Sequence, residues 1–336
     1  MRVGVVLLLC IVVLGFGFQQ FNANSETPIP TPTLAPVFEP PPVTPEGVTV
    51  PTETPAQTAV PTETPQPTRT PTPKPTATPD ARFIGKIVCL DPGHGGSDRG
   101  ATRKEGNGVP AMEEAVYTLA WARALKLRLE SDGFTVVMTR NEDVDVNTDG
   151  KDISRDGETS KNQRDATKAY RAKMVDELQA RINYCNDQDA FVLISIHLNY
   201  FDDPRAVGFE TWFSGARMDA DASKLFAEIM QEEIGKEYDE VGYDTVSRGA
   251  FNDADADANL GVGTFEHYLM IGPAQQGKVT PSEMPGIIVE SGFMSNDKEA
   301  SFMVSPKGRD AIISAYENGI IRYFIYIDEH FVYGAK

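Results

Sequence analysis

The chain has 336 residues and a formal net charge of −18, and 17 of its 24 prolines lie between Thr27 and Pro79 together with 15 threonines. A stretch so rich in proline and so poor in large apolar side chains cannot bury enough surface to offset its ordering entropy, so the two domains suggested by length alone reduce to one. Residues 1–82 carry four basic and six acidic side chains, which leaves −16 on the remainder and excludes a nucleic-acid partner, since such binders present basic faces.

Met1 and Arg2 precede an apolar run, Val3–Phe18, that is long for a signal-peptide core and short for a comfortable membrane span. No Ala-x-Ala cleavage site follows, so residues 1–25 read as a signal peptide or as an N-terminal membrane anchor. Leu9 before Cys10 argues against a lipoprotein site. Either reading exports the rest of the chain, which is expected to be extracytoplasmic, secreted or tethered at the outer face of the membrane. Residues 26–82 read as a disordered Pro/Thr-rich linker in which VPTETP occurs at Val50–Pro55 and again at Val60–Pro65. In polyproline form about 50 residues at ~3.1 Å each reach ~150 Å.

From Phe83 the pattern changes to short apolar strands alternating with helices. Lys86–Leu90 reads as a buried strand, Glu113–Ser131 as a helix stopped by Gly133, and Phe134–Thr139 as a strand. A polar stretch, Asn141–Lys168, breaks the rhythm. Arg171–Asp187 reads as a helix, Ala190–Ile196 and Val207–Phe213 as strands, and Asp221–Tyr238 as an amphipathic helix. After a loop-rich region come a strand at Gly286–Val289 and a helix at about Gly308–Ile327. This order predicts one α/β domain over 83–336 with a mainly parallel sheet flanked by helices. Cys89 and Cys185 make no disulfide framework; a bridge between them is compatible with the sequence, but free buried thiols are expected.

Three strand ends carry chemistry. KIVCL runs into Asp91-Pro92-Gly93-His94-Gly95-Gly96, FVLISI into His197-Leu198-Asn199, and GIIV into Glu290-Ser291-Gly292. Ligands in open α/β sheets bind outside the carboxyl ends of the strands, so two of the four histidines and a carboxylate are aimed at one sheet edge. Neutral imidazoles and a carboxylate suit zinc, with an open fourth position. Glu113 and Glu114 open the next helix, and helix phase alone does not choose which of them is the third ligand. The glycine loop lacks both the GxGxxG spacing and a Walker lysine. Cys89, in mid-strand, reads as inert core rather than a nucleophile. His267 and His330 have no evident partners and default to surface or structural roles.

With a glutamate opening the helix, the combination DPGHGG, SIHLN and VESGFMSN resembles the zinc-dependent N-acetylmuramoyl-L-alanine amidases of the type 3 family, over about Lys86 to Phe324. The resemblance implies a phosphorylase/hydrolase-like α/β fold and hydrolysis of the amide joining N-acetylmuramic acid to L-alanine in peptidoglycan. It places the first and second ligand histidines on His94 and His197 and the catalytic glutamate on Glu290. The family's ligand glutamate stands four residues before an Asn-Leu-Ala; here that tripeptide is Thr118-Leu119-Ala120, which selects Glu114. Asp91 and Asn199 are candidates for orienting the ligands. The expected enzyme is a monomer acting on peptidoglycan.

A second metal candidate lies in an insertion at about 144–170. Asp145, Asn147, Asp149, Lys151 (through its carbonyl) and Asp156 match the spacing of a calcium loop, with Gly150 at the turn. The hydrophobic residue usual at position 8 stands at position 9, Ile153, and no helix pair flanks the loop. The alternative is an acidic solvated turn. Asp253-Ala-Asp255-Ala-Asp257 reads as a solvated loop. The region of about 250–285 immediately precedes the Glu290 strand and is expected to border the substrate groove. Two other function classes compete: a metal-free amidase-like domain that binds wall or regulates another hydrolase, and a different zinc hydrolase, for which no HExxH is present.

Overall fold

The computed structural model describes residues 79–255, 266–275 and 279–330; the apolar run and almost all of the linker lie outside them. A six-stranded sheet has the order β4-β1-β5-β8-β6-β7. Its strands are β1 Ile87–Pro92, β4 Thr135–Met138, β5 Val192–Asn199, β6 Phe209–Phe213, β7 Ser247–Asn252 and β8 Gly286–Phe293. The pairs β4/β1, β1/β5, β5/β8 and β6/β7 are parallel, and only β6/β8 is antiparallel. A hairpin of β2 Thr102–Arg103 and β3 Met112–Glu113 precedes α1 Glu114–Asp132. The other helices are α2 Ala166–Asp187, α3 Ala220–Glu240, α4 Asp297–Val304 and α5 Pro306–His330.

Side chains alternate across a strand, and that alternation divides the core into two layers. Val88, Leu90, Val192, Ile194, Ile196, Ile287 and Val289 pack with α1, α3 and α5 in the larger cluster. Cys89, Leu193, Ile288 and Trp212 point the other way, toward α2 and Leu269, Met270, Ile271, Val279 and Met284. By the same parity Asp91, Ser195, His197, Glu290 and Glu210 lie on this second face. It therefore carries both a short apolar core and, beyond it along the strands, the polar groups.

Differences from the sequence reading have local causes. α1 ends where expected, at Gly133 with φ 112, a left-handed cap that glycine adopts without penalty. α2 starts earlier than the apolar pattern suggests because Asp165 accepts a hydrogen bond from the Lys168 amide and caps it. β5 and β8 run past their apolar cores, so His197 and Glu290 lie within strands rather than after them. The expectation of free thiols is corrected: Cys89 and Cys185 form a disulfide with their Cα atoms 5.8 Å apart, joining β1 to α2. Ninety-six residues of separation hid that adjacency. Among the described residues no helix is long and apolar enough to cross a membrane.

Candidate active site

His94, Glu114 and His197 each offer a ligand atom, and these atoms lie within 4.8 Å of one another. His94 leaves the end of β1 in a left-handed conformation, φ 62, which costs a non-glycine residue roughly 1–3 kcal/mol unless its surroundings enforce it. Its Nδ1 is 2.8 Å from Asp98 Oδ2, which leaves Nε2 facing Glu114 Oε2 at 3.1 Å. A carboxylate on the distal nitrogen fixes ring orientation and raises ligand basicity. Glu114 begins α1 and is buried, its Oε1 3.0 Å from His197 Nδ1. The Leu198 and Ala101 amides, at 2.9 and 2.8 Å, donate to its two oxygens. Glu113, one residue earlier, instead pairs with Arg99 at 2.7 Å on the surface.

Two glycines make this packing feasible. A Cβ on Gly93 would lie 2.3 Å from His197 Cε1, and one on Gly100 would lie 2.6 Å from Glu114 Oε2. Burial disfavours protonated His94, but Glu114 and Asp98 more than offset this and push it up to about 10. Burial likewise raises Asp98, and the His94 imidazole overrides that and holds it at about 2. The field at this point attracts positive charge, and two imidazoles with one carboxylate are a donor set that fits zinc.

Behind these three residues two buried arginines grip the loop backbone. Arg181 on α2 donates to the Pro92 and His94 carbonyls at 2.9 and 2.7 Å and to Asp91 Oδ1 at 2.9 Å. Arg140 donates to the Pro92, Gly93 and Ala115 carbonyls at 2.9, 2.9 and 2.8 Å. Burial and the nearby Arg181 lower Arg140 to about 10. Asp91 accepts from Thr139, Ser195 and Arg181. Burial pushes its carboxyl up, yet the Arg181 charge and the two hydroxyls hold it below the usual range. Asp91 therefore orients Arg181, and through it the His94 carbonyl, rather than touching a ligand.

Glu290 is the register partner of His197 on one side and of Glu210 on the other. Its Oε2 is buried without a hydrogen-bond partner. Burial, with the Glu114 and Glu210 carboxylates nearby, pushes its proton affinity well above that of an ordinary glutamate. Glu210 is paired with Arg248 and accepts from Asn199 Nδ2 at 2.9 Å and Trp212 Nε1 at 3.2 Å. Asn199 thus serves Glu210 and no metal ligand directly.

The sequence profile of the N-acetylmuramoyl-L-alanine amidase family matches residues 88–322. The chain belongs to this family. It is 29% identical over 240 residues to the germination-specific N-acetylmuramoyl-L-alanine amidase of Bacillus subtilis, covering 71% of this chain and 80% of that one. It is 25% identical over 255 residues to the amidase AmiC of Neisseria meningitidis, covering 70% of this chain and 52% of that relative. In fold it resembles the CwlD amidase of Clostridioides difficile, solved in complex with the GerS lipoprotein. There the TM-score is 0.51 at 24% identity, over 72% of this chain and 99% of that one. The chain is thus a peptidoglycan hydrolase of the N-acetylmuramoyl-L-alanine amidase class, as its strand-end motifs led us to expect.

In this amidase the acidic insertion does not gather its oxygens as the zinc candidates do. Asp145 pairs with Lys173 at 3.0 Å, and Asp149 with Lys151 at 2.7 Å. Lys161 Nζ donates to the Asp149 carbonyl at 2.6 Å, and Asn147 Nδ2 to the Lys151 carbonyl at 2.8 Å. Asp156 Oδ1 accepts from the Glu158 amide. No acid of this loop joins a metal-competent group among the described residues. His267 has a partner the sequence did not reveal, the buried Asp253 at 3.0 Å, and so ties the 266–275 segment to the end of β7. Asp257, in the second acidic run, lies outside the described residues. Glu210, Arg140 and Arg181 were missed as site residues. The signal available for Glu210 was a charged residue among the aromatic residues of a buried strand, FETWF.

Proposed function

We propose that this amidase is a zinc enzyme in which His94, Glu114 and His197 hold the ion and Glu290 is the catalytic acid and base. The observation that carries the reading is the convergence of two imidazoles and one carboxylate within 4.8 Å on the same face as a buried, unpartnered glutamate oxygen. Zinc held there supplies Lewis-acid polarisation of the scissile carbonyl and acidifies a water to a pKa near ~7. Glu290 Oε2 takes the proton of the attacking water and returns it to the departing L-alanine nitrogen. A carboxylate with raised proton affinity and no competing hydrogen bond is suited to both transfers. Asp98 keeps the His94 ring turned toward Glu114, and the Leu198 and Ala101 amides keep the Glu114 carboxylate in its place.

The apolar run at 3–18 and the Pro/Thr spacer support export, with the catalytic domain, as a monomer, acting on the envelope either released or tethered to the membrane. The test uses purified wall with and without a zinc chelator. Stem peptides with a free N-terminal alanine, lost on chelation and in Glu290→Gln, are expected. New reducing sugar ends, internally cut peptides, or wall that is bound but uncut refute the reading.

A further inference from the structure

Where the family's pattern has asparagine four residues after the ligand glutamate, this chain has Thr118, and that residue is buried at 0% exposure. Its hydroxyl donates to the Gly93 carbonyl at 2.9 Å and accepts from Arg140 Nη2 at 3.1 Å. The same Nη2 reaches the Gly93 and Ala115 carbonyls, while Nε takes that of Pro92. Threonine, arginine and three carbonyls therefore join the end of β1 to the first turn of α1. Those two segments deliver His94 and Glu114.

We propose that Thr118 and Arg140 are positioning residues for the metal ligands, acting through the Gly93 carbonyl. Gly93 is the wall against which the His197 ring packs, since a Cβ there would overlap it at 2.3 Å. The next residue, His94, holds a left-handed backbone that needs enforcement from outside. Arg181 fixes the carbonyl after it and the Thr118–Arg140 pair fixes the carbonyl before it. One peptide orientation thus sets the place of both imidazoles relative to Glu114. The inference rests on the zinc reading above.

Zinc affinity of the full chain, measured by competition with a chromophoric chelator, tests it, with the Tm of the metal-stripped protein recorded alongside. Thr118→Val keeps the shape and removes the hydroxyl; we expect affinity about 10- to 100-fold weaker, the range for groups that orient ligands. Thr118→Ser restores the hydroxyl and is expected to bind within about twofold of wild type on the same reasoning. Unchanged affinity in Thr118→Val, or equal losses in the Val and Ser variants, overturns the proposal in favour of simple packing. If Thr118→Val does not fold, Arg140→Lys, which keeps the charge and loses the fork, is expected to weaken zinc by a similar factor. Wild-type affinity in Arg140→Lys overturns the proposal. A wild-type chain that takes up no zinc refutes the metal reading itself, a result distinct from variants that bind as wild type does.

Discussion

Breaking the Cys89–Cys185 bridge is expected to destabilise the catalytic domain by about 4.7 kcal/mol at 25 °C. The bridge closes a loop of 96 residues' separation. In the chain-entropy treatment such a loop removes about 16 cal/mol/K from the unfolded ensemble. For a domain of this size that corresponds to roughly 9–19 °C in Tm, at about 2–4 °C per kcal/mol. Both cysteines are fully buried, so a reductant reaches the bridge only through the unfolded state. The measurement is therefore equilibrium unfolding in guanidinium of the oxidised chain and of chain reduced while unfolded, refolded and kept reduced throughout. Denatured, unreduced full chain should show one reactive thiol, that of Cys10. Extrapolated stabilities agreeing within about 1 kcal/mol would refute the entropic argument, and three reactive thiols would refute the bridge.

Glu290→Gln is expected to lower kcat by about 10²–10⁴-fold while zinc content stays at that of wild type, read by turnover of soluble wall fragments and by metal analysis. His197→Ala removes one donor, and metal analysis after dialysis should find the zinc lost with secondary structure intact by circular dichroism. Gly93→Ala should do the same from outside the ligand set, because its methyl would displace the His197 ring. Asp91→Asn removes one of the two anions on buried Arg181 and leaves Glu177 at 2.9 Å, so at pH 7 it should cost less than the roughly 3–5 kcal/mol of a fully broken buried pair. Since the folded state holds the Asp91 carboxyl below its usual range, its contribution is full above the unfolded value of ~3.9 and is lost as pH falls through the folded value. The Tm difference between wild type and Asp91→Asn should therefore shrink in acid.

What the sequence made legible was mostly local. GIIV before Glu290 and FVLISI before His197 announce buried strands with a polar residue in line, and parity then puts both side chains on one face. DPGHGG announces a tight loop. The long-range contacts were not legible. Arg181 meets Asp91 across 90 residues and Arg140 meets Pro92 across 48, and nothing in either local pattern distinguishes these arginines from surface ones. β7, SRGAFN, lacks an apolar run because it is an edge strand with half-exposed positions, and α4 is only eight residues long, fixed by its Asn296 cap. In the acidic insertion the spacing suggests a calcium loop, while the pairing of Asp145 with Lys173 across 28 residues is not visible in it.

The pairing of β8 has a consequence for how this enzyme can change over time. Glu290 lies on the face of His197 because it is an even number of residues from Ile288, which faces α2. Losing or gaining a single codon between Pro285 and Glu290 would turn the carboxylate into the layer beneath α3 and α5, while the flanking aliphatic residues could still fill space. Two codons would restore the face but move the carboxylate about 7 Å along the strand, out of register with His197 and Glu210. Drift by insertion or deletion is closed to this strand on both counts. Variation in length is left to the connections, where the Asn141–Lys168 stretch and the segment before β8 already differ from a minimal sheet.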